Sequence, residues 1–203
     1  ISNKVEFHFG EVPNGYGWVF PKDGYFSVGI GSIGAPIPKP LNEYRRFLKK
    51  LGFDYVKPRG HFLPIGGVQR KTYANRILLA GDAAGYVDAF LGEGIAYAIM
   101  SGKIAAETVI DACRKNDFSE DSLAAYQTGC ENAFGTNLKY SLMFSKMFYQ
   151  YHNMFFKMLI NNEPMLYRFI LLPTGHFGYQ PFIKWLAPRL PYYIAKNYIS
   201  VRS

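Results

Sequence analysis

Arg76-Ile-Leu-Leu-Ala-Gly-Asp-Ala-Ala-Gly85, running on as Tyr86-Val-Asp-Ala-Phe-Leu-Gly-Glu-Gly-Ile95, is the stretch from which the rest of the chain can be read. From Arg76 to Ala80 it is a short, uninterrupted apolar run of the kind buried on both faces of a sheet, and it stops abruptly at Gly81-Asp82. Such a strand delivers one carboxylate, Asp82, at its tip. The turn through Gly85 exposes backbone amides, and a second glycine pair, Gly92 and Gly94, opens a helix at Ile95 whose positive end points back at the same space. This arrangement suits a ligand that carries hydroxyls beside a delocalised anion. Asp82 can accept hydrogen bonds from sugar-like hydroxyls, and the amides at Gly94-Ile95 can stabilise negative charge on a ring carbonyl. The alternative is an ordinary strand-turn-helix in which Asp82 is a cap.

Downstream, Ile95, Ala98, Ile99, Gly102, Ala105, Ala106, Val109 and Ala112 predict a helix face to about Arg114, small enough for close packing on a neighbour. Asp121 to Phe134 predicts another helix, and Thr136 to Asn161 a longer one interrupted near Tyr151-His152. Short helical pieces punctuated by Pro173, Gly175, Gly178, Pro181, Pro188 and Pro191 follow. Upstream, Val5, Phe7 and Phe9 alternate with polar neighbours. Pro13-Asn14-Gly15 and Lys22-Asp23-Gly24 read as turns, which predicts an antiparallel hairpin sheet over residues 1–31. After Pro36, Pro38 and Pro40, the residues Leu41, Tyr44, Phe47, Leu48 and Leu51 recur at helical spacing until Gly52. Residues 55–70, with Pro58, Pro64 and Gly66-Gly67, read as extended. The fold class is therefore α+β.

The chain has 203 residues, of which 49% are hydrophobic, enough to bury a core and to exclude a disordered or collagen-like protein. Its two cysteines, Cys113 and Cys130, exclude a disulfide framework, a four-thiolate zinc site and a cysteine-ligated cluster, and both are expected to stay reduced in a cytoplasm. No run of eighteen apolar residues occurs. The start, Ile1-Ser-Asn-Lys, has neither a signal segment nor an initiator Met, so the chain is expected to be incomplete there. Of the formal net charge of +8, a net +7 falls on residues 134–203, where Glu163 is the only acid. The same 70 residues hold 17 of the 35 aromatics, so cationic and aromatic character rise together. That pairing favours an anionic membrane surface or a nucleic acid, and the dispersal of the bases among apolar residues, with no recognition motif, argues against the nucleic acid. The Met and aromatic residues of 138–172 are accounted for by core packing, with part of the stripe free to line a lipid tunnel or touch a bilayer.

Gly29-Ile-Gly-Ser-Ile-Gly34 matches the G-x-G-x-x-G dinucleotide pattern, but Ala35-Pro36-Ile37-Pro38 follows where a helix must begin, so the match is set aside. His8, His61, His152 and His176 are scattered without metal-ligand spacing, and no metal site is expected. Asp88 and Glu93 sit where they could relay protons, although solvating the start of the helix is the commoner role.

At these residues the sequence resembles a known family. Gly81-Asp82-Ala-Ala-Gly85 with Gly92-Glu93-Gly94-Ile95 is similar to the second flavin motif of FAD enzymes built on the p-hydroxybenzoate hydroxylase plan. Within that group, Gly15-Tyr16-Gly-Trp18-Val-Phe20-Pro21, running to Val28-Gly29-Ile-Gly31, resembles the substrate-side signature of geranylgeranyl reductases, including the archaeal digeranylgeranylglycerophospholipid reductases and their FixC-like relatives. The resemblance implies FAD as cofactor, held by Gly81, Asp82, Gly85, Gly92, Gly94 and Ile95. Asp82 would take the ribityl chain, and Gly94 with Ile95 the pyrimidine end of the isoalloxazine. It implies that Tyr16, Trp18, Phe20, Pro21, Gly29 and Gly31 line the substrate pocket for a polyprenyl chain; filling a sheet core is the alternative for these aromatics. Tyr-Val-Asp-Ala-Phe-Leu between Gly85 and Gly92 departs from the Pro-Leu-Thr usual in the family, and the family's N-terminal strand and helix for the ADP moiety are absent.

The expectation is thus an antiparallel substrate-domain sheet (1–72), the closing strand and helix of an FAD-binding domain (73–116) and a helical C-terminal region (117–203). The implied activity is flavin-dependent saturation of isoprenoid carbon-carbon double bonds, with NAD(P)H or ferredoxin as external electron donor. The expected location is cytoplasmic, with peripheral contact at the inner face of the cell membrane. A flavin monooxygenase, a FixC-like electron-transfer flavoprotein and a non-catalytic lipid-binding module are the rivals, and the chain alone is expected to come without flavin.

Overall fold

The computed structural model describes residues 4–34, 36–66, 68 and 70–199. Ile1, Ser2, Asn3, Ala35 and Gly67, which enter the sequence reading above, lie outside them. The chain forms two compact units, Ile1–Phe62 and Leu63–Ser203.

In the first unit the predicted hairpins are three antiparallel strands in sequence order: β1 (Glu6–Phe9), β2 (Gly15–Lys22) and β3 (Tyr25–Ser32). Lys22 pairs with Tyr25 across the two-residue turn Asp23-Gly24, where Gly24 takes a φ of 72°. Helix α1 (Pro40–Leu51) starts at a proline and stops at Gly52, whose left-handed φ of 75° sends its amide to Leu48 and Lys49. Tyr44, Phe47 and Leu48 are its buried face. The ring of Phe47 lies beneath Gly17 of β2, where a Cβ would come within 2.5 Å of it, so the missing side chain is what lets helix and sheet close.

The second unit begins with β4 (Tyr73–Ala74) and β5 (Ile77–Leu78), an antiparallel pair, followed by the single turn α2 (Gly81–Ala84) and the long α3 (Ile95–Lys115). The run at 76–80 is expected to be buried on both faces. Instead only two of its residues pair, and Ile77 and Leu79 are exposed. Among the described residues β4 is its sole strand partner.

The inward face of α3 also differs from expectation. Ala98, Ala105 and Ala112 turn inward, whereas Ile95, Ile99, Gly102, Ala106 and Val109 face outward. The residues that anchor the helix are Tyr97 and Ser101, polar positions that an apolar count passes over because their hydroxyls find partners inside.

Next come α4 (Glu120–Cys130), a π-helical turn at Glu131–Gly135 and α5 (Thr136–Gln150), one unbroken helical run. Ser119 caps α4 by accepting the Ser122 amide at 3.3 Å. The break at Tyr151 falls where the sequence places it, and α6 (His152–Ile160) follows. Then α7 (Glu163–Leu171), α8 (Tyr179–Leu186) and α9 (Leu190–Ile199) are separated by short 3-10 turns containing Pro173 and Pro188. Rings fill the core of this bundle. Phe144 and Phe148 are both fully buried, and Phe182 meets Phe144 edge-on at 5.5 Å.

Candidate functional site

The expected strand-turn-helix exists, and its geometry follows from the glycines. Leu79 is held at the end of β5 by its amide to the Thr72 carbonyl and by the Tyr126 hydroxyl, which donates to the Leu79 carbonyl at 2.6 Å. The chain then turns at Gly81 with φ 55°, pressed so close to α3 that a Cβ would meet Ala98 at 2.9 Å. The Gly81 amide, which would otherwise be buried without a partner, donates to the hydroxyl of Ser101 at 2.9 Å. Gly85, at φ 75°, closes the turn by donating to the Asp82 carbonyl.

These contacts leave Asp82 at the mouth of a cleft of about 690 Å³ in the second unit, lined among others by Gly81, Gly92, Gly94, Ile95 and Ile99. The carboxylate stands against the start of α3: a Cβ on Gly94 would lie 2.8 Å from Asp82 Oδ1. Only glycine at position 94 allows a carboxylate and a helix N-terminus to share that space. The side chain of Asp82 has no hydrogen-bond partner among the described residues, and neither does the Ile95 amide, the first of α3. The Ala96 amide is already taken by Glu93 Oε1 at 2.8 Å, so Glu93 has the helix-start role. An acceptor and a donor, both unspent, therefore adjoin one open cleft.

The loop between the two glycine pairs is held from behind. Asp88, 3% exposed, accepts from the Phe90 amide (2.7 Å), the Leu91 amide (2.9 Å) and the Tyr179 hydroxyl (3.0 Å), all on Oδ1. Burial holds its carboxyl above the usual carboxylate range, with the three hydrogen bonds opposing and Glu93 adding to the rise. The same desolvation pushes the Tyr179 hydroxyl well up and that of Tyr97 to about 12, so both stay protonated in the folded protein. Asn137 ties them together: its Nδ2 donates to the Tyr97 hydroxyl at 2.7 Å, and its Oδ1 accepts the Tyr179 amide at 3.2 Å. Phe90 plugs the loop into the aromatic core, 4.9 Å from Phe144 and 5.0 Å from Phe148. Asp88 is thus a support of the loop rather than an open relay.

Sequence reasoning missed Ser101, Asn137 and Tyr179. A serine and an asparagine inside otherwise apolar helical stretches are the one local hint of buried partners.

In the first unit, Tyr16, Trp18 and Phe20 alternate along β2 and stand on the sheet face opposite α1, with Phe7 5.5 Å from Tyr16 and 5.3 Å from Phe20. Gly29 and Gly31 lie across from Trp18 and Tyr16. A Cβ at Gly29 would fall 2.2 Å from the indole, so the glycine lets Trp18 lie flat across β3 while its Nε1 donates to Ser27 at 3.4 Å. The result is one continuous aromatic wall, half-buried except for the more enclosed Tyr16. Pro21 falls on the other face by strand parity, and pairs with Phe26. Among the described residues no cluster of histidines, cysteines or carboxylates could hold a metal ion.

No model of a known protein family matches the chain. Curated proteins do. An uncharacterised protein of Methanosarcina barkeri is 33% identical over 163 residues, which is 79% of this chain and 41% of that protein. Digeranylgeranylglycerophospholipid reductase 2 of Methanothermobacter thermautotrophicus is 34% identical over 148 residues, 70% of this chain and 38% of the reductase. The digeranylgeranylglycerophospholipid reductase of Methanococcus vannielii is 36% identical over 138 residues, 63% of this chain and 34% of its own length. Among solved structures, a geranylgeranyl bacteriochlorophyll reductase-like protein of Thermoplasma acidophilum superposes with a TM-score of 0.64 at 26% identity, over 71% of this chain and 39% of that one. The chain therefore spans about two fifths of the length of these relatives. With the glycine-framed carboxylate, the aromatic strand and the α+β fold all in place, it belongs to the geranylgeranyl reductase family.

Proposed function

We propose that this chain supplies the substrate wall and the ribityl-and-ring portion of the cofactor cradle in an FAD-dependent reductase that saturates carbon-carbon double bonds of geranylgeranyl or other isoprenoid chains. The observation that carries the reading is the contact of Gly94 with Asp82, which sets an unspent carboxylate beside an unspent helix amide in an open cleft. The donor set fits the cofactor. Asp82 would accept from ribityl hydroxyls, and the Ile95 amide would donate to a pyrimidine carbonyl, where the helix dipole favours the negative charge that builds up on the reduced ring. The bound flavin would supply the hydride. The chain's own part is to bind and orient: the wall of Phe7, Tyr16, Trp18 and Phe20 offers a broad apolar surface to a polyprenyl chain and excludes water from it. An electron donor such as NAD(P)H or a ferredoxin is the remaining partner of this reading.

The test is a fluorescence titration of the purified chain with riboflavin, FAD and ADP. Riboflavin and FAD are expected to bind within a few-fold of each other, ADP not to compete, and Asp82→Ala to weaken flavin binding by at least about tenfold, the loss of charge-assisted hydrogen bonds. Equal binding by the Asp82→Ala protein, or no flavin binding at all, would sink the reading for this chain.

A further inference from the structure

Asp88 is the one carboxyl buried among the described residues, whereas Asp82 stands open at the cleft and Glu93 is spent on the Ala96 amide. Its place is directly behind the cleft wall. The Asp88 amide donates to the Glu93 carbonyl at 2.7 Å and the Gly92 amide to the Asp88 carbonyl at 2.9 Å, which closes residues 88–93 into a tight loop. Gly92 and Gly94 are the part of this segment that lines the cleft. The Asp88 carboxylate lies within the loop, 2.9 Å from the amide of Leu91, the residue next to Gly92. All three of its donors fall on Oδ1, so Oδ2 is the atom that can hold a proton. The titratable groups that face this corner are Glu93 from the loop itself, Tyr97 from α3, Tyr179 from α8 and Tyr149 from α5, while α7 brings the Phe169 ring. None of these groups is a cation.

We propose that Asp88 takes up a proton from solvent when a ring seated against the first amides of α3 becomes an anion, and gives it back when that charge leaves. The proposal rests on the flavin reading of the cleft. Two negative charges on either side of a thin loop repel where little water screens them, whereas a neutral carboxyl beside the anion does not. Neutral Asp88 also leaves the positive end of α3 unopposed for the ring. Burial already tips the carboxyl toward the neutral form, and its three hydrogen bonds oppose that tilt and keep the ionised form within reach. The balance is simple. An electron donor, by hydride or by single electrons, gives the ring two electrons, one proton enters with them, and one further proton rests on Asp88 Oδ2. Loss of a hydride from the ring restores its neutrality, and Asp88 returns its proton to solvent. Closed off from the cleft, Asp88 stores this proton and does not pass it to substrate.

Anaerobic equilibrium dialysis of the purified chain against riboflavin, either oxidised or reduced with dithionite, tests it from about pH 6 to about pH 9. The quantity read is the ratio of the two dissociation constants, reduced over oxidised. Below the raised value of Asp88 the carboxyl is neutral and the anionic ring meets no like charge; above it both are charged and the reduced form binds more weakly. The ratio should therefore rise by about tenfold more across this range in the parent than in Asp88→Asn, whose side chain stays neutral and leaves only the ring's own titration. Tyr179→Phe removes a donor to the ionised carboxylate, so the rise due to Asp88 should move to higher pH. Circular dichroism checks that each variant is folded, and if the Asn protein is not, the direction of the Tyr179→Phe displacement decides. A parent ratio that follows that of Asp88→Asn at every pH overturns the inference while the flavin reading stands, as does a rise that Tyr179→Phe leaves in place or moves to lower pH. Absence of flavin binding in both states overturns the two together.

Discussion

Replacing Asp88 separates two roles that one buried carboxylate combines. Its Oδ1 receives three donors, the amides of Phe90 and Leu91 and the hydroxyl of Tyr179. Asp88→Ala leaves all three without a partner in the interior, and at about 1–3 kcal/mol for each orphaned group the loss should be about 3 kcal/mol or more. Asp88→Asn keeps an acceptor in the same place and removes the charge, so its effect depends on pH. Burial raises the carboxyl's folded pKa above its unfolded value. The stabilisation linked to the protonated form is therefore fully present below the ordinary carboxylate range and is lost as pH rises through the raised value. The Asn side chain cannot ionise, so the stability of the Asn variant minus that of the parent should grow more positive from about pH 4 to about pH 8. Urea unfolding of the three proteins across that range measures it. A difference that stays flat with pH, or an Asn variant as unstable at neutral pH as the Ala variant, would refute the assignment of Asp88 as a buried, charge-penalised anchor.

Gly29→Ala puts a methyl 2.2 Å from the Trp18 indole, which must leave the sheet face; expected are an altered Trp18 emission in a Trp185→Phe background and a loss of about 1–3 kcal/mol. Unchanged emission would mean that the wall is not built as described. Cys113 is exposed, whereas Cys130 is buried and its thiol pushed up by desolvation, so at mildly alkaline pH an aromatic disulfide reagent should titrate one thiol in the native protein and the second only in denaturant. Two fast thiols would contradict that core.

Local rules carried the sequence reading far. The turn at Asp23-Gly24, the stop of α1 at Gly52 and the break at Tyr151 each rest on a residue or two whose backbone preference is decided within a few positions. The cleft was legible for the same reason, since Gly81 and Gly94 mark the places where backbone and carboxylate crowd together, and Gly85 and Gly92 take the left-handed backbone of the turns between them. What the sequence hid is non-local. Asp88 and Tyr179 are 91 residues apart, and no periodicity links them. The inward face of α3 was misread because its alanines and isoleucines run nearly all the way round, leaving the choice to Tyr97 and Ser101, whose partners come from elsewhere in the chain. The apolar run at Ile77 looks central by composition, but a strand is central only if neighbours flank it on both sides.

The π turn at Glu131–Gly135 makes this part of the chain tolerant of one change in length, the loss of a residue within the turn itself. Tyr126, Cys130, Phe134 and Leu138 belong to one core cluster at steps of four residues. In a continuous α-helix three such steps would carry Leu138 about 120° away from Tyr126 around the axis. One wider turn absorbs the drift, after which Ser141, Phe144 and Phe148 resume ordinary spacing against the aromatic core. Deleting a single residue there would relax the segment to a regular helix with Leu138 only about 20° from the direction of Tyr126, whereas a deletion elsewhere in the run would swing everything after it by about 100°. Point changes along 126–148 can accumulate one at a time, but an insertion or deletion outside the π turn would demand that the core positions beyond it change together.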